Sequence, residues 1–247
     1  MRFFDEGIII NVVNYQDSAA IIKLLTKDHG ICCGFIKNAK TKKALSLYQI
    51  GNLITFEYRN RIDENLGSFF NIDLKHSYLA YIMFEPLKLE IVKLLLYIFD
   101  KSLLEREEQN LLFLQLINFL EEINDNEILF NDFIALYVKF ELAILESLGY
   151  AIDITCCVVT NSSANLAFIS PKSAKAVSIE AGMPYKDKLL KLPKFLISNI
   201  CPSKTDLVDG FNLTGYFLVK NIFLKDKIFY NLRQNLLKKI DKNAINI

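Results

Sequence analysis

The side chains of this 247-residue chain that suit acid–base, nucleophilic or metal chemistry are few, and their spacing does not gather them. His29 lies in the turn-like "KDHG" and His76 stands alone further on. Each reads as an ordinary polar residue, since a general base or a ligand needs partners that nothing nearby supplies. Glu107-Glu108 and Glu121-Glu122 are adjacent on helix-like segments, so they point in different directions and cannot share one site. Five cysteines include the neighbours Cys32-Cys33 and Cys156-Cys157, which on a strand face opposite sides and bridge poorly. They read as reduced thiols. Cys156 or Cys157 is placed to open a zinc site, but tetrahedral zinc needs four ligands, and Thr160, Ser178 and Ala181 do not replace thiolates. The sequence contains no G-x-x-x-x-G-K-[ST], G-x-G-x-x-G, H-E-x-x-H or G-x-S-x-G. The expected class is therefore non-enzymatic, with no catalytic residue, no metal and no cofactor.

What the sequence does concentrate is positive charge. "IKNAKTKK", from Ile36 to Lys43, holds four lysines in a chain whose net charge is +1. Residues 1–80 carry ten Lys/Arg and eight Asp/Glu, residues 81–150 five and thirteen, and residues 151–247 fourteen and seven. Basic flanks around an acidic middle suggest that a polyanion meets the flanks, although a charged face is also what plain solvation looks like. Lys37, Lys40, Lys42 and Lys43, set on a loop next to Arg59 and Arg61 at the end of another strand, are the candidate phosphate contacts. Lys172 and Lys175 are secondary candidates. Phe56, Tyr58, Phe69 and Phe70 are able to stack on bases, but alternation with Ile54 sets Phe56 and Tyr58 inside a barrel.

The elements that must position these residues change character along the chain. "EGIIINVVNY", "SAAIIKLLT", "ICCGFIK", "NLITFEYRNR" and "LGSFFNID" are short, β-branched or alternating runs, which predicts five strands and a small OB-type barrel within residues 1–80. From 81 to 247 the period is helical. "NLLFLQLINFLEEI", "FIALYVKFELAILESLGY", "LTGYFLVKNIF" and "FYNLRQNLLKKI" predict helices, and Gly149 stands where a helix ends on a left-handed residue. Residues 151–184 interrupt them as short strands and turns, with Val158, Leu166, Phe168, Ile169 and Val177 as the expected packing. The predicted class is α+β: a five-stranded OB-type β-barrel, then a mostly α-helical domain with a short β/turn insertion. No stretch is apolar enough to span a bilayer, and Asp5 and Glu6 disagree with a secretory signal, so a cytoplasmic protein is expected.

Taken in order, "DEGIII", "LLTKDHG", "IKNAKTKK", "FELAILESLGYAIDITCCVVT", "FISPKSAKAVS", "PYKDKLLKLP" and "LTGYFLV" resemble the RecO family of bacterial DNA repair proteins over almost the whole chain, most like its alphaproteobacterial branch. Where relatives often carry a Gly-Ala-Arg turn, this chain has Asn38-Ala39-Lys40. Where some relatives have a four-cysteine zinc module, only its first cysteine survives, at Cys156 or Cys157. The resemblance implies an N-terminal OB-fold, binding of single- and double-stranded DNA, annealing of complementary strands, and action with RecR to help RecA displace the single-strand-binding protein. It also implies that the acidic, apolar-tipped tail of that protein docks on the helical domain, where Lys139 beside Phe140 is the candidate site. The rival reading is a protein-interaction adaptor without direct DNA binding, its lysines serving solubility.

Overall fold

The computed structural model describes residues 1–15, 17–60, 66–125 and 127–243. Strands β1 (Arg2–Tyr15), β2 (Ala19–Thr26), β3 (Ile31–Ile36), β4 (Asn52–Arg59) and β5 (Gly67–Ser77) form a closed barrel in the order β1-β2-β3-β5-β4. Alternation decides which residues fill it: Ile9, Ile22, Leu24, Cys32, Ile54, Phe56, Tyr58 and Phe69 are buried together in its interior. β1 pairs with β4 through its first half and with β2 through its second, and its register slips between Ile9 and Asn11, which gives the curvature that closure needs.

The barrel closes where β3 runs parallel to β5, with Gly34 opposite Gly67. Neither position has room for a side chain. A Cβ on Gly34 would lie 2.6 Å from the Phe69 ring, and one on Gly67 would lie 2.3 Å from Tyr58. The Tyr58 hydroxyl occupies that space, donating to the Cys33 carbonyl at 3.1 Å and accepting from the Gly67 N–H at 3.2 Å. Tyr58→Phe would leave both backbone groups unpaired at the closure, and a loss of about 1–3 kcal/mol is expected, read as a lower urea midpoint. A midpoint equal to the parent's would show that water satisfies both groups.

Helix α1 (Lys42–Leu47) lies between β3 and β4, so the lysine-rich stretch is only partly the expected loop: Lys42 and Lys43 begin a short helix. Next come α2 (Tyr78–Tyr81), α3 (Pro86–Ser102) and α4 (Asn110–Ile123). The chain divides into two compact units, Met1–Asn124 and Asp125–Ile247. Polar contacts tie α3 to the barrel and α4 to α3. Asp100 of α3 accepts from Lys23 of β2 at 3.1 Å and from Asn11 of β1 at 3.2 Å. Lys88, itself buried, donates to the Ile123 carbonyl at the end of α4 at 2.8 Å, satisfying a helix-terminal acceptor.

The second unit is built on α5 (Phe130–Ser147), α7 (Lys204–Asn221) and α8 (Lys227–Asn243). Gly149 has φ +81°, the left-handed stop expected after α5. A small sheet in the order β7-β6-β8, from β6 (Leu166–Ile169), β7 (Ala176–Ser178) and β8 (Leu190–Lys191), carries the insertion, with α6 (Ile179–Gly182) after β7. Leu166, Ile169 and Val177 are buried and Phe168 is half-buried against Gly182, as the expected packing requires. Val158 is exposed and Cys157 is buried instead.

Cys157 is the cysteine turned inward at the position where a zinc ligand would stand. Its sulfur accepts the Ser178 N–H at 3.2 Å. With one thiol, the hydroxyls of Thr160 and Ser178 and the methyl of Ala181, this donor set does not fit tetrahedral zinc. Hydrogen bonds to the sulfur stand in their place. Burial pushes the Cys157 thiol up, but the Thr160 hydroxyl and the N–H groups of Ser178, Thr160 and Val159 outweigh it and bring it from 9.0 down to about 6. A depressed thiol adds stability that is complete above the unfolded value of 9.0 and is lost as pH falls through about 6. Ultraviolet thiolate absorbance should therefore titrate near 6 and vanish in Cys157→Ala. That variant should also lose part of the gain in urea resistance between pH 6 and 9. A midpoint near 9 would refute the cradle.

Candidate nucleic-acid interface

The lysine-rich stretch is held from both ends so that its charges face water. Asn38 takes φ +56°, a conformation glycine adopts freely and asparagine tolerates, which is why Asn38-Ala39-Lys40 can replace a glycine turn. Ala39 is buried, and its N–H donates to the Ser18 carbonyl at 2.8 Å, tying the stretch to the β1–β2 connection. Thr41 caps α1 by accepting the Ala44 N–H at 3.2 Å. Buried Asn52 donates to the carbonyls of Ser46 and Leu47, both at 2.9 Å, and so fixes the far end of α1. Lys37, Lys40, Lys42 and Lys43 are all exposed.

Register sets the start of this stretch at the barrel end where β4 finishes, with β5 between them. Ser68 of β5 pairs with Phe35 of β3 on one side and with Arg59 of β4 on the other. Lys37, two residues past Phe35, therefore leaves the barrel at the same end as Arg59. Among the described residues, Lys37, Lys42 and Lys43 have no carboxylate within ion-pair distance. Lys42 and Lys43 also sit in the first turn of α1, where the helix dipole disfavours cations. Neither neutralisation by a described carboxylate nor helix stability accounts for them.

The remaining candidates fall out differently. Arg59 is engaged: its Nε and Nη2 donate to Glu57 at 2.7 and 2.9 Å, and its guanidinium lies 4.6 Å from the centre of the Phe70 ring. Arg61 lies outside the described residues. Lys172 and Lys175 are exposed on the turn between β6 and β7, in the second unit, and Lys175 pairs with Asp153 at 3.8 Å. Lys139 is exposed, but Phe140 is only 6% exposed, so the ring packs in the helical core and offers little apolar surface beside that cation. Phe56, Tyr58 and Phe69 are likewise buried in the barrel, which removes them as base-stacking candidates. Phe70 alone of those four faces water.

Sequence reasoning missed Glu57, Arg2 and Phe4. Glu57 is fully buried yet ionised, accepting from Arg59, Arg2 and Asn71. The Arg59 hydrogen bond, reinforced by Arg2, holds its carboxyl at about 2 against burial. The alternation of "RFF" before "DEGIII" was the available signal, since it puts Arg2 and Phe4 on one face and Phe3 on the other. Burial pushes the Cys32 and Cys33 thiols up to about 12. His29 stacks on Phe3 at 3.7 Å and pairs with Asp5 at 2.7 Å. Among the described residues no three His, Cys, Asp or Glu side chains are placed to hold a metal ion, and no helix is long and apolar enough to cross a membrane.

The family model described as recombination protein O N terminal matches residues 1–78, and that described as recombination protein O C terminal matches residues 84–227. The chain is 40% identical over 242 residues to the DNA repair protein RecO of Orientia tsutsugamushi (strain Ikeda), spanning 97% of this chain and 98% of that relative. It is 37% identical over 226 residues to the protein of the same name from Rickettsia typhi (strain ATCC VR-144 / Wilmington), spanning 90% of this chain and 92% of that one.

Proposed function

Because the chain belongs to the RecO family of DNA repair proteins, we propose that it is a cytoplasmic, non-catalytic recombination mediator. It binds single- and double-stranded DNA, anneals complementary strands, and acts with RecR to help load RecA on DNA coated by the single-strand-binding protein. Annealing needs no nucleophile. It needs cations that offset repulsion between two phosphate backbones while leaving base edges free to pair. The observation that carries this reading is the exposed lysine-rich stretch, with Lys37, Lys42 and Lys43 unneutralised among the described residues at the barrel end that also bears Arg59.

Protein partners are supported by a separate feature. Tyr81, Met83 and Phe84, just after the barrel, are 66%, 56% and 86% exposed, more apolar surface in four residues than solvation favours. For the acidic tail of the single-strand-binding protein, Lys139 remains the proposed contact, with Phe140 contributing little. Binding and annealing of labelled oligonucleotides across a salt series tests the main reading. Affinity should fall steeply with salt for single strands and duplexes alike. Salt-independent or absent binding would leave the protein an adaptor that meets DNA only through its partners.

A further inference from the structure

We propose that the outer face of β1, β4 and β5 is a base-stacking platform for single-stranded DNA, built by Arg2, Phe4, Arg59 and Phe70 on the carboxylate of Glu57. It presupposes that the protein binds DNA, and it adds where bases rather than phosphates are held. Register lays the platform out. Phe4 pairs with Glu57 and Glu57 with Phe70, while Arg2 pairs with Arg59 one step along, so these side chains share one face. That face lies opposite the interior occupied by Phe56, Tyr58 and Phe69.

The rings are not there for the core. Phe4 is 66% exposed and Phe70 38%, roughly 9–10 Å apart by two strand spacings. Each carries a guanidinium: Arg2 lies 5.8 Å from the centre of the Phe4 ring and Arg59 4.6 Å from that of Phe70. Glu57 aims both arginines, accepting from the Nε of each. Asn71 completes the set, donating its amide to Glu57 at 2.8 Å. Asn71 reaches that carboxylate because β5 bulges there: the register slips opposite Thr55 and Glu57, and Asn71 takes φ +48°. Bulges of this kind re-aim side chains.

Charge selects the occupant. Two guanidiniums on one carboxylate leave an excess of +1 over two exposed rings, and flat cations and aromatic faces both stack on nucleobases. A duplex hides its base faces in its own stack, so this surface discriminates in favour of unpaired strands. The lysine-rich stretch, which meets phosphates, has no such preference.

The test compares the full-length chain with a Phe4→Ala/Phe70→Ala double variant on three ligands at fixed salt: a single-stranded oligonucleotide, the same oligonucleotide with abasic sites, and a duplex. The parent should bind the intact single strand more tightly than the abasic one. The double variant should lose about tenfold on the intact strand and little on the other two, with an unchanged salt slope, because no phosphate contact is removed. Glu57→Gln, which loosens the arginines but keeps the rings, should lower the ratio of intact to abasic affinity without weakening duplex binding. A Phe4→Leu/Phe70→Leu variant keeps the apolar cover and serves if the alanines unfold the barrel. A ratio that stays at the parent's value in the folded variants overturns the platform alone and leaves the two rings to a protein partner. A parent that binds none of the three ligands overturns the DNA reading with it.

Discussion

Arg233→Ala should cost the second unit about 3–5 kcal/mol, a large part of the 5–15 kcal/mol typical of a domain. Glu141 is fully buried and Arg233 is 6% exposed. Arg233 pairs with both carboxylate oxygens of Glu141, through Nη1 and through Nη2 at 2.9 Å, and its Nη2 also reaches the Phe211 carbonyl at 2.5 Å. The hydroxyl of Tyr137 donates to Glu141 at 2.5 Å, and that of Thr214 donates to the other oxygen. Burial first, and then the neighbouring Glu141, hold the Tyr137 hydroxyl well above its ordinary value, so it stays a donor. Removing the arginine strands a carboxylate among apolar helices, which is far worse than removing both charges. Glu141→Leu/Arg233→Met should therefore recover much of the loss. Urea midpoints for Arg233→Ala, for Glu141→Leu and for the double variant measure this. A single variant within about 1 kcal/mol of the parent would mean that water reaches the pair and that the cluster is not structural.

That cluster shows what kind of information a sequence withholds. The five strands were legible because Ile54, Phe56 and Tyr58 alternate with polar neighbours, and α4 and α5 were legible because their apolar residues recur at helical spacing. Partners far apart in the chain leave no local pattern. Thr214-Gly215 reads only as part of "LTG" until Thr214 is seen bonded to Glu141 and Gly215 beneath Arg233, where a Cβ would lie 2.3 Å from the guanidinium Nε. The same holds at the barrel. A fully buried Glu57 alternates on the polar side of β4 and looks solvated, because its two arginines come from β1 and from its own strand. The boundary after residue 80 follows the change of period, and the family matches also break between 78 and 84, but Lys23 and Asn11 carry the packing unit on to Asn124 through Asp100. Lys139 and Phe140 are separated for a local reason: adjacent helical residues face about 100° apart, so the ring is buried while its neighbour's cation is exposed.

Replacing Lys40, Lys42 and Lys43 together by alanine should weaken binding of every oligonucleotide by a similar factor, because phosphate contacts carry no base information. If each lysine holds one phosphate of a single strand, the slope of log affinity against log salt should become shallower by roughly 0.7 per contact, about two units in all. At about 0.1 M salt the same relation corresponds to a loss on the order of a hundredfold. Annealing should fall in parallel, since two strands must be neutralised at once. The fold should survive: all three side chains are exposed, and the buried anchors of the stretch, Ala39 and Ala44, are untouched. Removing Lys42 and Lys43 should even relieve the first turn of α1, where the helix dipole opposes them by a few tenths of a kcal/mol each. The combination distinguishes a binding role from a solubility role, because only a binding role predicts a variant at least as stable as its parent with a shallower salt slope. A folded triple variant with the parent's affinity and slope would move the phosphate surface away from the barrel. The lysines of residues 151–247, beginning with Lys172, would then be the next to replace.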